Sequence, residues 1–161
     1  MKSTATLSEC GRYRYRLTRR WGAGGNAVFV MLNPSTADAD VDDPTIRRCI
    51  GFARDWNQGG LIVVNLYAYR ATKPADLWKA TDPVGPDNNR ILSETFAEAN
   101  VNSDPVIAAW GANAKPYRVF QVADRASRER IDLEALGVTK DGAPRHPLYM
   151  PKTAKPERWV P

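Results

Sequence analysis

Three short, almost continuous apolar runs constrain the fold of this chain more than any other feature of its sequence. They cover residues 27–32, 61–66 and 105–110, and each contains Val or Ile. Such runs are typical of strands that are buried on both faces of a sheet. Segments with helical periodicity separate the runs, which indicates right-handed crossovers between parallel strands. We therefore expect an α/β fold, a three-layer α/β/α sandwich with a mainly parallel central sheet.

The segments between the runs carry helix signals of their own. After the first run, Asp43 can cap a helix and Pro44 suits its first turn. Residues at helical spacing follow there and after the second run: Ile46, Ile50, Ala53 and Trp56, then Ile91, Thr95, Phe96 and Ala99. Pro116 can open a third helix, which we expect to extend towards Gly137. The alternating pattern of residues 12–17 predicts a half-exposed edge strand, and a short last strand is expected near residues 138–139.

Length and charge bound the class of protein. With 161 residues the chain fits one domain, spanning residues 1–161, which can bury about two-thirds of its unfolded surface. Its hydrophobic content of 43% is too high for a disordered chain. The net charge of +5 makes a polyanionic partner plausible, although a surplus of this size is also common in proteins that bind nothing acidic.

Several classes of protein are excluded by what the sequence lacks. No apolar run approaches the ~20 residues of a membrane span, and residues 1–7 have no apolar core of signal-peptide length. The two cysteines, Cys10 and Cys49, lie far apart, and His146 is the single histidine. Neither a four-cysteine cluster nor a multi-histidine metal centre can be built from them. We therefore expect a cytoplasmic protein with reduced thiols, no membrane association and no cofactor or metal.

Four loops hold the unusual polar residues of the chain. They cover residues 33–43, 65–72, 110–114 and 145–152, and each lies at the end of a predicted strand. In parallel α/β sheets, ligands bind beyond the carboxyl ends of the strands. The coincidence of polar clusters with these positions indicates a binding or catalytic site at one edge of the sheet.

The first loop offers an amide and a row of carboxylates. Asn33 follows the first run directly, so its amide would be held at the sheet edge, where it could position a water or hydrogen-bond a base. Alternatively, Asn33, Pro34 and Ser35 form a turn whose side chains satisfy the backbone. The acidic stretch over residues 38–43 could bind a divalent cation, but its spacing matches no calcium loop, and capping or solvation is the simpler interpretation.

The second loop combines aromatic and basic side chains. Tyr67 or Tyr69 could stack on a base, and Arg70 could contact a phosphate. The alternative is that one tyrosine packs in the core while Arg70 pairs with the acidic stretch.

The last two loops hold a glycine turn and the histidine. Gly111 follows Trp110 and precedes a helix, so this turn could receive an anion or simply be a tight connection. His146 could donate a hydrogen bond to charge that develops on a leaving group, although a lone histidine is more often structural. Basic and aromatic residues accompany it: Arg145, Tyr149 and Lys152.

Taken together, these segments resemble the uracil-DNA glycosylase superfamily. The matching stretches are Met-Leu-Asn-Pro-Ser at 31–35, Asn-Leu-Tyr-Ala-Tyr-Arg at 65–70, Ala-Trp-Gly at 109–111 and His-Pro-Leu-Tyr at 146–149. The resemblance implies a glycosylase-like α/β fold. It implies that Asn33 holds a water or the base edge and that His146 stabilises charge on the departing base. It also implies substrate contacts from Pro34, Ser35, Asn65, Tyr67, Tyr69, Arg70, Trp110, Gly111, Arg145, Tyr149 and Lys152.

At closer range the chain is similar to a bacterial and phage family known only as a domain of unknown function, through motifs at residues 32–38, 42–48, 65–72 and 145–149. The first hypothesis is an enzyme that cleaves or modifies a base or nucleoside, with DNA or a nucleotide as its partner. The alternative is a non-catalytic module that binds nucleic acid or a nucleotide on the same fold. A third hypothesis is a metal-dependent enzyme that uses the acidic stretch on a small molecule.

Overall fold

The computed structural model describes all 161 residues, and its helices and strands alternate along most of the chain. The strands are β1 (Lys2–Leu7), β2 (Arg14–Arg20), β3 (Asn26–Met31), β4 (Gly60–Asn65), β5 (Val106–Ala108), β6 (Glu134–Ala135) and β7 (Glu157–Arg158). The helices are α1 (Pro44–Asp55), α2 (Pro74–Leu77), α3 (Asn88–Asn102) and α4 (Pro116–Arg128), and a 3₁₀ turn covers Pro147–Tyr149.

All seven strands form one mixed sheet in the order β1-β2-β4-β3-β5-β6-β7. The four central strands, β4, β3, β5 and β6, are parallel, whereas β1, β2 and β7 pair antiparallel with their neighbours. The expectation of a mainly parallel sheet is therefore correct only for its centre. The links over residues 8–13 and 21–25 are too short for a parallel crossover, which takes a dozen residues or more, so the chain reverses at each of them.

Helices cover both faces of this sheet. Val28 and Val30 of β3 belong to the larger of two main apolar clusters, together with core residues of α3 and α4. Phe29 and Met31 point to the opposite face and join the second cluster, which contains the inner residues of α1. Because successive side chains of a strand alternate between faces, a strand that is apolar throughout is buried from both sides.

The predicted elements are confirmed in the middle of the chain and less so at its ends. β1 and β7 were not expected, and β1 moves β2 away from the edge position that its alternating pattern predicts. α4 ends at Arg128 because Arg130 adopts a left-handed conformation, with φ at 60°. The short strand that follows lies at Glu134–Ala135, whereas Val138, where a strand was expected, forms only an isolated bridge with Pro144.

Helix length bears on the expectation about membranes. The longest helix, α3, has 15 residues, and none of the helices has both the length and the apolarity that crossing a bilayer requires.

Phe96 tests the packing of α3 on the sheet. Its side chain is fully buried in the larger cluster, so Phe96→Ala should lower the free energy of unfolding by about 3–5 kcal/mol, through lost burial and the cavity that remains. Val101 lies on the same helix and is 82% exposed, so Val101→Ala should change the free energy of unfolding by less than about 0.5 kcal/mol. Urea denaturation of both variants measures the difference, and equal values would contradict this packing.

Candidate active-site cleft

A cleft of about 550 Å³ opens at the edge of the sheet where β3, β4 and β5 end. All four polar loops contribute to its wall. Eight of the residues that the sequence singles out line it: Asn33, Ser35, Asn65, Trp110, Gly111, Arg145, His146 and Tyr149. Asn33 and His146, more than a hundred residues apart in the chain, therefore face the same space.

Backbone hydrogen bonds tie the loops to one another at this edge. The amide of Ala71 donates to Pro34 O at 3.0 Å and joins the first loop to the second. The amide of Gly111 donates to Pro144 O at 2.8 Å and joins the third loop to the residue directly before the fourth. Gly111 has φ of 76°, which a residue with a side chain adopts only with strain, so this turn requires glycine. The wall of the cleft is thus built on rigid strand ends.

The amide of Asn33 is held in one orientation. Its Nδ2 donates to Ala71 O at 2.8 Å and to Pro34 O at 3.0 Å. Since carbonyl oxygens accept only from the NH₂ end of the amide, the two bonds also identify which end is Oδ1. No protein donor binds Oδ1, which leaves an acceptor of fixed position on the cleft wall.

The imidazole of His146 is held in one tautomer as well. Its Nδ1 accepts a hydrogen bond from the amide of Leu148 at 3.2 Å and caps the 3₁₀ turn. A ring nitrogen that accepts carries no proton, so the neutral ring has its N–H at Nε2. Burial lowers the pKa of His146 below 6.5, and the nearby Asp43 carboxylate opposes this only in part. At neutral pH the cleft therefore contains a neutral imidazole that donates through Nε2.

Asn65 is the most unusual polar group of the cleft. It is the last residue of β4, its side chain is fully buried, and it lines the cleft. Neither its Oδ1 nor its Nδ2 has a hydrogen-bond partner in the protein. A buried amide without partners costs free energy that a bound ligand or water can recover. The amide of Asn65 is therefore able to hydrogen-bond a ligand that offers both a donor and an acceptor.

The remaining predicted site residues lie outside the cleft. Tyr67 is 3% exposed in the larger apolar cluster, where its ring meets Trp78 edge-on at 5.1 Å, so it presents no face for stacking. Tyr69 packs edge-on against Tyr13 at 5.9 Å. The other three, Pro34, Arg70 and Lys152, are also absent from the wall. Tyr67 packs in the core, which was the alternative interpretation of its loop. It does so because Leu66 and Tyr67 continue the backbone hydrogen bonding of the sheet beyond β4.

Lys152 lies instead in a neighbouring groove of about 470 Å³. Arg47 and Arg48 of α1 line the same groove, and Leu148 belongs to the walls of both the groove and the cleft. Asp55 is the single acid among the groove's lining residues, so the groove carries a net positive charge.

Three carboxylates of the acidic stretch bind other groups of the protein. Asp38 accepts hydrogen bonds from the amides of Asp40 and Val41, which lower its pKa. Asp42 pairs with Arg19 at 2.8 Å, and Asp43 caps α1 by accepting from the amide of Ile46. No three His, Cys, Asp or Glu side chains come together in a cluster suited to a metal ion.

Sequence reasoning missed several polar residues of the cleft. Thr72 and Asn113 belong to the predicted loops but were assigned no role, and Asp43 was expected to cap a helix or, with the rest of the acidic stretch, to bind a cation. Arg14 was placed in an edge strand, yet it is 2% exposed and lines the cleft. Burial lowers the pKa of its guanidinium to about 10, and the Asp43 carboxylate partly opposes this. No pattern in the sequence distinguishes Arg14 from its neighbours Arg12 and Arg16.

The fold and the cleft define an α/β protein whose candidate site is built from polar loops at the carboxyl edge of parallel strands. Residues 14–148 match the sequence profile of a family described as "Protein of unknown function (DUF1643)", and the chain belongs to that family. The expectation of an uncharacterised domain family is therefore confirmed. Neither the curated proteins nor the solved structures contain a significant match to the chain.

His146 can be titrated without interference, because it is the only histidine. Long-range ¹⁵N–¹H NMR spectra should show the Nε2–H tautomer and a pKa below 6.5. Since the folded state resists protonation, the stability contributed by neutral His146 is fully present above about pH 6.5 and is lost as the pH falls through the lowered pKa.

The control is His146→Asn, whose Oδ1 can still accept from the Leu148 amide but does not titrate. Its unfolding free energy should vary less with pH between about 7 and 5 than that of the unmodified protein. An imidazole pKa at or above 6.5 would contradict the geometry described for this ring.

Proposed function

We propose that this protein is an enzyme that acts on the bond between a nucleobase and its sugar, in DNA or in a nucleotide, in the manner of the uracil-DNA glycosylases. The observation that carries the proposal is the shared cleft of Asn33 and His146, each with one free polar atom of defined type. A three-layer arrangement of the glycosylase kind is part of the proposal, and the helices on both faces of the sheet support it.

In the proposed reaction, water adds to C1′ of the sugar, and the bond from C1′ to the base nitrogen breaks with its electron pair leaving on the base. The proton of the water ends on the departing base. Oδ1 of Asn33 would accept a hydrogen bond from the attacking water and orient it. Because Nδ2 is occupied by two backbone carbonyls, Oδ1 can do this without rotation of the amide.

Nε2–H of His146 would donate to the oxygen on which negative charge collects as the base departs. A neutral donor suits this role, because it stabilises the developing anion without first attracting another anion into its place. The lowered pKa of His146 supports the neutral form at physiological pH. One such donor is worth roughly a hundred- to a thousand-fold in rate.

Two further residues suit the recognition of a base. The free amide of Asn65 offers a donor and an acceptor, the combination that the edge of a uracil or hypoxanthine ring requires. Tyr149 is 81% exposed on the rim of the cleft, and its ring lies 5.9 Å from that of His146. It therefore takes the stacking role that the sequence assigned to Tyr67 or Tyr69.

The positive groove beside the cleft favours a substrate with a phosphate backbone. Arg47, Arg48 and Lys152 would contact phosphates on the outside of the protein, while Arg145 stands at the cleft itself. Lys152 then contributes from the groove rather than from the reacting centre.

The test is a panel of oligonucleotides and nucleotides with uracil, hypoxanthine or other modified bases, scored for abasic sites and free base. Asn33→Ala should lower the rate of base release roughly a hundred-fold or more, through loss of the oriented acceptor. Asn100 is an exposed residue of α3, away from the cleft, and Asn100→Ala should leave the rate unchanged.

Two substitutions separate the roles of the His146 nitrogens. His146→Asn keeps an acceptor for the Leu148 amide but removes the Nε2 donor, so it should fold normally and lose roughly a hundred- to a thousand-fold in rate. His146→Gln places an amide donor near the Nε2 position and should retain more activity. Full activity in both His146→Asn and Asn33→Ala would refute these roles, and salt-dependent binding without base release would favour the non-catalytic module.

A further inference from the structure

Three buried arginines of this chain differ in how their guanidinium groups are bonded. Arg19 and Arg118 each donate to three or more protein oxygens. The guanidinium of Arg14 makes a single hydrogen bond, from Nη1 to Ala37 O at 2.6 Å. Its Nε is buried without a partner. Since a guanidinium carries five N–H donors, most of the bonding capacity of Arg14 is unused.

Arg14 also lacks a counter-ion. The ion pairs of the protein involve other side chains, and no carboxylate lies within 4.0 Å of the Arg14 guanidinium. The two carboxylates whose charges act on Arg14 have other partners, because Asp43 caps α1 and Asp38 binds two backbone amides. A buried charge without a counter-ion is destabilising, and an anion bound in the cleft would offset that cost for Arg14.

A β-bulge aims Arg14 at the cleft. In the pairing of β2 with β1, Arg16 lies opposite Thr6 and Arg14 lies opposite Leu7, so Tyr15 is the extra residue. Strict alternation would place Arg14 and Arg16 on the same face. Instead, Arg16 pairs with Glu98 on α3, whereas Arg14 reaches Ala37 on the opposite face. Bulges of this kind re-aim side chains beside functional sites.

The backbone of Arg14 lies at the same edge of the sheet as the strand ends that form the cleft. Its amide donates to Ala68 O, in the chain that follows β4. Arg14 and the unpartnered Asn65 therefore both belong to the cleft wall. A guanidinium fork binds phosphate and carboxylate groups in a bidentate manner.

We propose that Arg14 is the receptor for an oxyanion, a phosphate monoester or a carboxylate, carried by the part of the substrate that enters the cleft. The inference rests on the proposed function, since it specifies the substrate class of the same site. The side chain is 2% exposed, so an anion reaches it only from inside the cleft. Backbone phosphates of a duplex remain outside, where the basic groove is available.

Isothermal titration calorimetry with inorganic phosphate, at low ionic strength, tests the proposal on the full chain. The unmodified protein should bind phosphate, and Arg14→Met should weaken that binding at least about tenfold, because it removes the charge and keeps the volume. Arg14→Lys should fall between the two. Arg16→Met is the matched control on the same strand, and its phosphate binding should equal that of the unmodified protein.

Thermal melting separates a receptor from a structural arginine. Arg14→Met should melt at the same temperature as the unmodified protein or higher, because it removes a buried unpaired charge. Arg118→Met should melt at a lower temperature, since it leaves three protein acceptors without their donor. A lower melting temperature for Arg14→Met together with unchanged phosphate binding would overturn the proposal.

One further measurement needs no variant. Phosphate added to the unmodified protein should shift the NMR signals of His146, the sole histidine, which shares the cleft with Arg14. Phosphate binding that leaves His146 unmoved would show that the anion sits elsewhere and would overturn the assignment.

Two pairs of ligands distinguish the source of the oxyanion. A nucleoside 5′-monophosphate that binds more tightly than its nucleoside, in an Arg14-dependent manner, identifies a phosphate. Orotate that binds more tightly than uracil in the same manner identifies a carboxylate on the base. Equal binding within both pairs would refute the receptor. These binding measurements are independent of the base-release assay. Arg14-dependent binding without any base release would therefore overturn the proposed function but support the anion site.

Discussion

Parallel pairing of β3 with β4 and with β5 is the interaction on which the site depends. It brings the carboxyl ends of three strands to one edge of the sheet, and the chain continues from each end into a polar loop. Backbone bonds that extend the pairing beyond the strands, such as the one from the amide of Tyr67 to Leu32 O, keep the start of the loops in register with the sheet. The cleft is therefore a consequence of sheet topology, and the hydrogen-bonded backbone at the strand ends positions side chains such as Asn33.

The middle of the central strands and their carboxyl ends have different roles. The two apolar clusters pack the central strands β3, β4 and β5 against helices on both faces of the sheet. The middle of each of these strands therefore contributes only to the core. Two buried polar side chains with unused hydrogen-bonding atoms, Asn65 and Arg14, line the cleft where the strands end. Such groups lower the stability of the empty protein, and a ligand that hydrogen-bonds to them can recover that free energy.

The cleft contains one uncharged hydrogen-bond donor, the imidazole of His146, and one buried positive charge, the guanidinium of Arg14. His146 is kept neutral by burial and by the bond from the Leu148 amide, so it acts as a donor of fixed direction. Arg14 keeps its charge despite burial, since its pKa of about 10 still lies far above neutrality. Asp43 lies near both, which makes the cleft a balanced rather than a uniformly positive environment.

The sequence by itself determined the central strands, the caps and start of α1, and the four loops that supply most of the cleft, because apolar runs and turn residues act locally. It also singled out Asn33 and His146. Only the tertiary structure decided that Tyr67 is core, since the choice between core and cleft depends on how far sheet pairing continues past β4. It alone decided that Arg14 faces the cleft, because a single extra residue opposite β1 reverses the face of every residue before it, and strand alternation carries no sign of that insertion.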